Sequence, residues 1–151
     1  MPLYHASRLR RAIHSEVGHL YLLTAVTVGR IPLFADFALG RVLIQEMRLA
    51  EEQGLLRSLC WVVMPDHLHW LIELGGAPLE QAMQQVKSRS AKRINQLAGT
   101  EGAIWQKGFH DHALRQDEDV LTAARYVVAN PLRAGLVDRL GDYPLWDAVW
   151  L

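Results

Sequence analysis

The apolar positions of the chain switch between strand-like runs and helical stripes, and that switching predicts the fold. Residues 19–28 are rich in β-branched and aromatic side chains and stop at the turn-prone stretch Gly29 to Pro32, which predicts a strand. Asp36 is placed as a helix cap. From Phe37 to Gln53 the residues Phe37, Val42, Leu43, Met47 and Ala50 recur near helical spacing, with Gly54 set to close the helix. Residues 55–63 and 67–74 are two β-prone runs joined by Met64-Pro65-Asp66, a tight antiparallel connection ended by Gly75-Gly76. A second helix opens at Pro78, carries Leu79, Ala82, Met83, Val86, Ser90, Ile94 and Leu97 on one stripe, and ends at Gly99. An extended segment, Ile104 to Arg115, leads to a third helix from about Asp117 to Asn130, which Pro131 stops. The order β-α-β-β-α-β-α predicts an α+β, ferredoxin-like sandwich with the helices packed on one face of an antiparallel sheet.

Two polar residues interrupt this pattern where packing alone gives no reason for them. His67 and His69 lie two apart in the third predicted strand, so both rings project from one sheet face. A buried imidazole needs a polar partner, and a metal ion serves two of them at once. The alternative is a pair of hydrogen-bonded core histidines.

On the third helix the periodicity buries Val120, Leu121, Ala124, Val127 and Val128 and leaves Tyr126 roughly opposite, with Asn130 one turn further on the same face. A phenol is largely protonated at neutral pH and a weak nucleophile. It becomes useful where a cation held by His67, His69 and the amide oxygen of Asn130 polarises a phosphate. Arg125 and Arg133 flank this site in sequence, as phosphate ligands or as partners of carboxylates.

The residues quoted so far resemble a known family. His67-Leu68-His69 is similar to the histidine–hydrophobe–histidine motif of the HUH nucleases. Together with Trp61 to His67, Trp105-Gln106 and Tyr126 to Val137, it resembles the REP-associated tyrosine transposases, single-tyrosine members of that superfamily, over nearly the whole chain from His19. The resemblance implies an HUH nuclease fold and a divalent metal, Mg²⁺ or Mn²⁺. It also implies cleavage and rejoining of single-stranded DNA that carries a palindromic hairpin, through a covalent 5′-phosphotyrosine. By position, His67 and His69 match the metal ligands, Tyr126 the nucleophile and Asn130 a further ligand, where related transposases often carry glutamine. A catalytically silent hairpin-binding module of the same fold is the alternative. A metallohydrolase that uses the histidines to activate water is a third reading, and no His-Glu-x-x-His helix favours it.

Composition narrows the partners. With 16 basic and 16 acidic residues the chain has no global attraction for a polyanion, so DNA contacts must be local. One candidate patch is Lys87, Arg89, Lys92 and Arg93 on the second helix, equally readable as a solvated face. Another is Arg8, Arg10 and Arg11 in a basic N-terminal arm, residues 1–18. Trp105, Phe109 and His110 are candidates for stacking on unpaired bases, with the core as the preferred place for Trp105. His110-Asp111-His112 reads as an exposed loop or edge, a secondary DNA contact or a plain surface feature. The one cysteine, Cys60, excludes an internal disulfide and reads as buried and inert. The run Leu20 to Val28 is too short for a membrane span and has no cleavage site behind it, so a cytoplasmic protein with no membrane partner is expected. One domain, residues 1–151, is expected, with the aromatic tail 138–151 packed on it. A self-contained monomer is favoured over a dimer that shares sites.

Overall fold

The computed structural model describes residues 19–115 and 119–148. Five antiparallel strands form one sheet in the order β4-β1-β3-β2-β5: β1 (Leu20–Val26), β2 (Leu56–Met64), β3 (His67–Leu74), β4 (His110–Ala113) and β5 (Trp146–Ala148). The helices are α1 (Phe37–Glu52), α2 (Leu79–Ala98), α3 (Val120–Val128) and the single turn α4 (Asn130–Arg133). This is the α+β sandwich the hydrophobic pattern predicts. Among the described residues no helix is long and apolar enough to cross a membrane.

The helices do not all lie on one face, and the reason is in β2 and β3. β2 is apolar on both sides from Leu59 to Met64, and Leu71 of β3 is buried with its second face, so each face of the sheet has to be covered. Trp61, Val63, Leu68, Trp70 and Ile72 pack with Leu43, Met47 and Ala50 of α1 and Ala82, Met83 and Val86 of α2. Leu59, Cys60, Val62, Met64 and Leu71 face the other way and meet Val120, Leu121, Ala124, Val127 and Val128 of α3. A helix of 9 residues is too short to hold itself in water. Burial of each Val or Leu on that stripe contributes roughly 1.5–3 kcal/mol, and tertiary packing therefore sets the position of α3. Burial also pushes the Cys60 thiol far above its ordinary pKa, in keeping with an inert residue.

Element boundaries shift where local chemistry intervenes. Asp36 caps α1 through its carboxylate, which accepts from the Ala38 N–H at 3.0 Å. Leu97, expected on the buried stripe of α2, is 60% exposed because the helix runs on past the core. The helix expected to continue to Asn130 ends at Val128 and restarts as α4. Pro131 has no N–H to offer the Val127 carbonyl four residues back, and the Asn130 side chain takes its place. Its Nδ2 donates to Val127 O at 3.1 Å and to Tyr126 O at 3.3 Å.

The β2–β3 hairpin turns on Pro65 and Asp66, with Met64 paired to His67. Its tip is braced by the segment after β1: Thr27 N–H donates to Asp66 O at 2.9 Å and Phe34 N–H to Pro65 O at 2.9 Å. The aromatic tail runs along β2, where Tyr143 Oη donates to Val63 O and β5 pairs with residues 60–62. Burial raises the Tyr143 phenol to about 12.

Candidate functional site: two histidines and a tyrosine on one sheet face

The strand register decides which side chains meet. His67 and His69 project from the face of β3 that α3 covers, opposite in sense to Leu68 and Trp70. Their ring centroids are 4.8 Å apart and nearly perpendicular, at 82°. Thr24 of β1 sits directly beside His69 in the sheet, and His110 of β4 sits beside Thr24.

Each imidazole has one nitrogen engaged. His67 Nδ1 is 2.7 Å from Asp66 Oδ1, and Asp66 Oδ2 accepts from Arg30 Nη1 at 3.1 Å. His69 Nδ1 shares a hydrogen bond of 3.0 Å with Thr24 Oγ1. Among the described residues, neither Nε2 has a hydrogen-bond partner. Burial, with His67 and Arg133 adding repulsion, lowers the His69 pKa to about 4, so its ring is neutral at pH 7 and keeps a lone pair. Burial raises the Asp66 pKa, but His67 and Arg30 overrule it and hold the carboxyl below the usual range.

Tyr126 reaches this pair from α3. Its ring centroid is 6.1 Å from that of His69, and the side chain is 50% exposed. The Arg133 guanidinium lies over the same ring, 4.1 Å from its centroid, and Nη2 donates to Tyr126 O at 2.9 Å. One chain therefore brings a phenol beside two imidazoles whose Nε2 atoms have no partner among the described residues, with the Arg133 guanidinium next to it. Imidazole nitrogens suit a divalent first-row ion such as zinc more readily than Mg²⁺, which prefers oxygen donors and water. Among the described residues no group of three His, Cys, Asp or Glu side chains is arranged to hold a metal.

Comparison with known proteins identifies the family. The model of the IS200-like transposase family matches residues 23–130, a span that includes Thr24, His67, His69, Tyr126 and Asn130. The chain belongs to the IS200-like transposases. As a family of transposases these are DNA-processing enzymes, and the resemblance read from the motifs is the relationship found. A REP-associated tyrosine transposase of Escherichia coli (strain K12) is 30% identical over 86 residues, 56% of this chain and 49% of that protein. The match thus spans about half the length of that relative. A Haemophilus influenzae protein assigned provisionally to the same group is 26% identical over 143 residues, covering 84% of this chain and 78% of its own. A solved structure of a REP-associated tyrosine transposase bound to a REP hairpin superposes with a TM-score of 0.71 at 23% identity, over 85% of this chain and 76% of that one. At that identity the likeness speaks for the fold.

The remaining candidates of this transposase fall elsewhere. Trp105 is not a stacking platform: it is 7% exposed, its ring lies 5.5 Å from Phe34, and its Nε1 donates to Ser90 Oγ at 3.1 Å. Arg89 and Arg93 are held by Glu46 of α1, through contacts of 2.7 and 2.8 Å to a carboxylate that is 2% exposed. Lys87 donates to the Gln106 and Gly108 carbonyls, and burial lowers its pKa. These three cations join α2 to its neighbours on the face away from the histidines. Lys92 and Arg125 are exposed and unpaired among the described residues, and His110 is exposed on the edge strand β4. Arg8, Arg10 and Arg11 lie outside the described residues.

Sequence reasoning missed Thr24, Asp66 and Arg30. Thr24 is a lone hydroxyl in an apolar strand, a signal that was present. Asp66 reads as an ordinary turn residue, and Arg30 becomes its partner only through the fold.

Proposed function

We propose that this transposase cleaves and rejoins single-stranded DNA beside a palindromic, REP-type hairpin through a covalent 5′-phosphotyrosine at Tyr126. The observation that carries the reading is the approach of Tyr126 to His69, 6.1 Å between ring centroids, on the sheet face where both Nε2 atoms are free. The descriptions of the relatives and of the hairpin-bound neighbour support the choice of substrate.

In this reading Tyr126 Oη attacks a backbone phosphorus. An Oη–P bond forms, the P–O3′ bond breaks, the phenolic proton passes to solvent, and the departing 3′ oxygen takes up a proton to leave as a hydroxyl. Rejoining is the reverse attack by a 3′-hydroxyl. His67, His69 and Asn130 would hold the divalent ion, Mg²⁺ or Mn²⁺, which when bound offsets negative charge on the phosphate. Arg133 fixes the orientation of the phenol and adds a cation beside the reacting phosphate. Lys92, Arg125 and His110 remain the exposed candidates for contacts to the rest of the strand. All parts of the site come from one chain, which suits a monomer working in cis.

A nicking assay with hairpin-bearing single-stranded DNA in Mg²⁺ or Mn²⁺ tests the reading. Cleavage that leaves a free 3′-hydroxyl and is absent in Tyr126→Phe supports it. Hairpin binding without cleavage in either metal identifies a silent binding module. Cleavage that survives Tyr126→Phe identifies a metallohydrolase.

A further inference from the structure

Thr24, Asp66 and Arg30 surround the histidines in a way that packing does not require. Thr24 is the cross-strand neighbour of His69, and its hydroxyl meets His69 Nδ1 at 3.0 Å. Asp66 precedes His67 in the chain and meets its Nδ1 at 2.7 Å. Both contacts fall on the same ring atom, Nδ1, and both leave Nε2 free. A histidine kept only for structure gains nothing from that repetition. A histidine that must present one particular lone pair depends on it, because the bond made by one nitrogen selects the tautomer at the other.

The Asp66 end of this arrangement is itself anchored. Arg30 donates from Nη1 to Asp66 Oδ2 at 3.1 Å and holds a backbone φ of 52°, in the left-handed region that a side chain such as arginine rarely adopts. The turn that carries Arg30 is tied to the hairpin through the buried Thr27. Its Oγ1 donates to Ile31 O at 2.8 Å and to Asp66 O at 3.1 Å. Asp66 is thereby gripped at its backbone by Thr27 and at its carboxylate by Arg30, and its other oxygen faces His67.

We infer that Thr24 and the Arg30–Asp66 pair are positioning residues that fix both imidazoles in the Nδ1–H tautomer, each donating its N–H outward so that both Nε2 lone pairs are presented to a divalent cation. This rests on the reading of His67 and His69 as cation ligands, and it assigns the work of orienting them to the end of β1 and the turn that follows.

Two measurements on the full chain test it without reading DNA cleavage. In the metal-free ¹⁵N-labelled protein, long-range ¹H–¹⁵N spectra should show Nδ1–H and unprotonated Nε2 on both histidines; an Nε2–H signature on either overturns the assignment. Titration with Mn²⁺, followed by electron paramagnetic resonance, should show weaker binding by about 10- to 100-fold in Thr24→Val and Asp66→Ala, the usual range for loss of an outer partner of a histidine ligand. Arg30→Gln should weaken it by less, and Thr24→Ser, which keeps the hydroxyl, should stay close to the unaltered chain. Thermal melts of each variant separate loss of fold from loss of orientation. If the unaltered chain binds no Mn²⁺, or if Thr24→Val and Asp66→Ala bind it as tightly as the unaltered chain, the inference is wrong. Strand cleavage that persists beside unchanged Mn²⁺ affinity in those variants removes the positioning role alone. Weakened Mn²⁺ binding in a chain that never cleaves DNA keeps that role and removes strand transfer.

Discussion

The Arg133 guanidinium lies 4.1 Å from the centroid of the Tyr126 ring and donates to the carbonyl oxygen of the same residue at 2.9 Å. The contact holds a half-exposed phenol that also meets the His69 ring. A cation–π contact at an exposed site is worth about 0.5–1 kcal/mol, and a hydrogen bond from a charged donor about 1.5 kcal/mol. Arg133→Ala is therefore expected to slow covalent attachment to DNA by roughly tenfold or more in single-turnover experiments. Lysine should not restore the rate, because it keeps the charge without the planar stack. An unaltered rate in Arg133→Ala would remove this role.

Asn130 has two possible duties, and one substitution separates them. Its Nδ2 donates to the Val127 carbonyl that Pro131 leaves short of a partner and to that of Tyr126, while its oxygen is the proposed metal donor. Asn130→Asp keeps an oxygen donor and loses the N–H. It should lower stability by about 1 kcal/mol and leave Mn²⁺ affinity equal or higher. Asn130→Ala should lower both. Equal Mn²⁺ affinity in Asn130→Ala and the unaltered chain would leave Asn130 as a cap only.

Glu46 gives the fold a dependence on pH. Burial raises its pKa, but the hydrogen bonds and charges of Arg93 and Arg89 outweigh burial and hold the folded-state carboxyl below the usual carboxylate range. A carboxyl depressed by folding contributes stability that is fully present above its unfolded pKa and lost as pH falls through the folded value. Urea denaturation should therefore show stability falling as pH drops from 5 towards 3. In Glu46→Gln the charge-assisted bonds are gone, so stability at pH 7 should be lower by about 1–3 kcal/mol and the acid slope shallower. An acid slope as steep in Glu46→Gln as in the unaltered chain would place the dependence elsewhere.

The sequence carried most of the fold, because alternation and helical stripes report burial directly. It also named the core of the candidate site, since His67 and His69 stand out as polar groups in an apolar strand and Tyr126 as a large aromatic opposite the buried stripe of its helix. The helix over the second face was not legible in strands whose apolar runs do not say which side is covered. The basic cluster on α2 looked like a DNA surface because a buried carboxylate on α1, Glu46, is invisible as its partner along the chain. Trp105 could be read either as a stacking residue or as core, with core preferred, and Ser90 and Phe34 enclose it. Thr24 and Asp66 were missed because a hydrogen bond across a sheet, or from a turn to the next residue, carries no periodicity.

The central claim is that Tyr126 becomes covalently bound to the 5′ end of the cleaved strand. Incubation with hairpin-bearing single-stranded DNA and Mn²⁺, denaturation, digestion and mass spectrometry should find a peptide that contains Tyr126 with a nucleotide attached, and no such adduct in Tyr126→Phe. An adduct on another residue, or one that persists in Tyr126→Phe, would contradict the account.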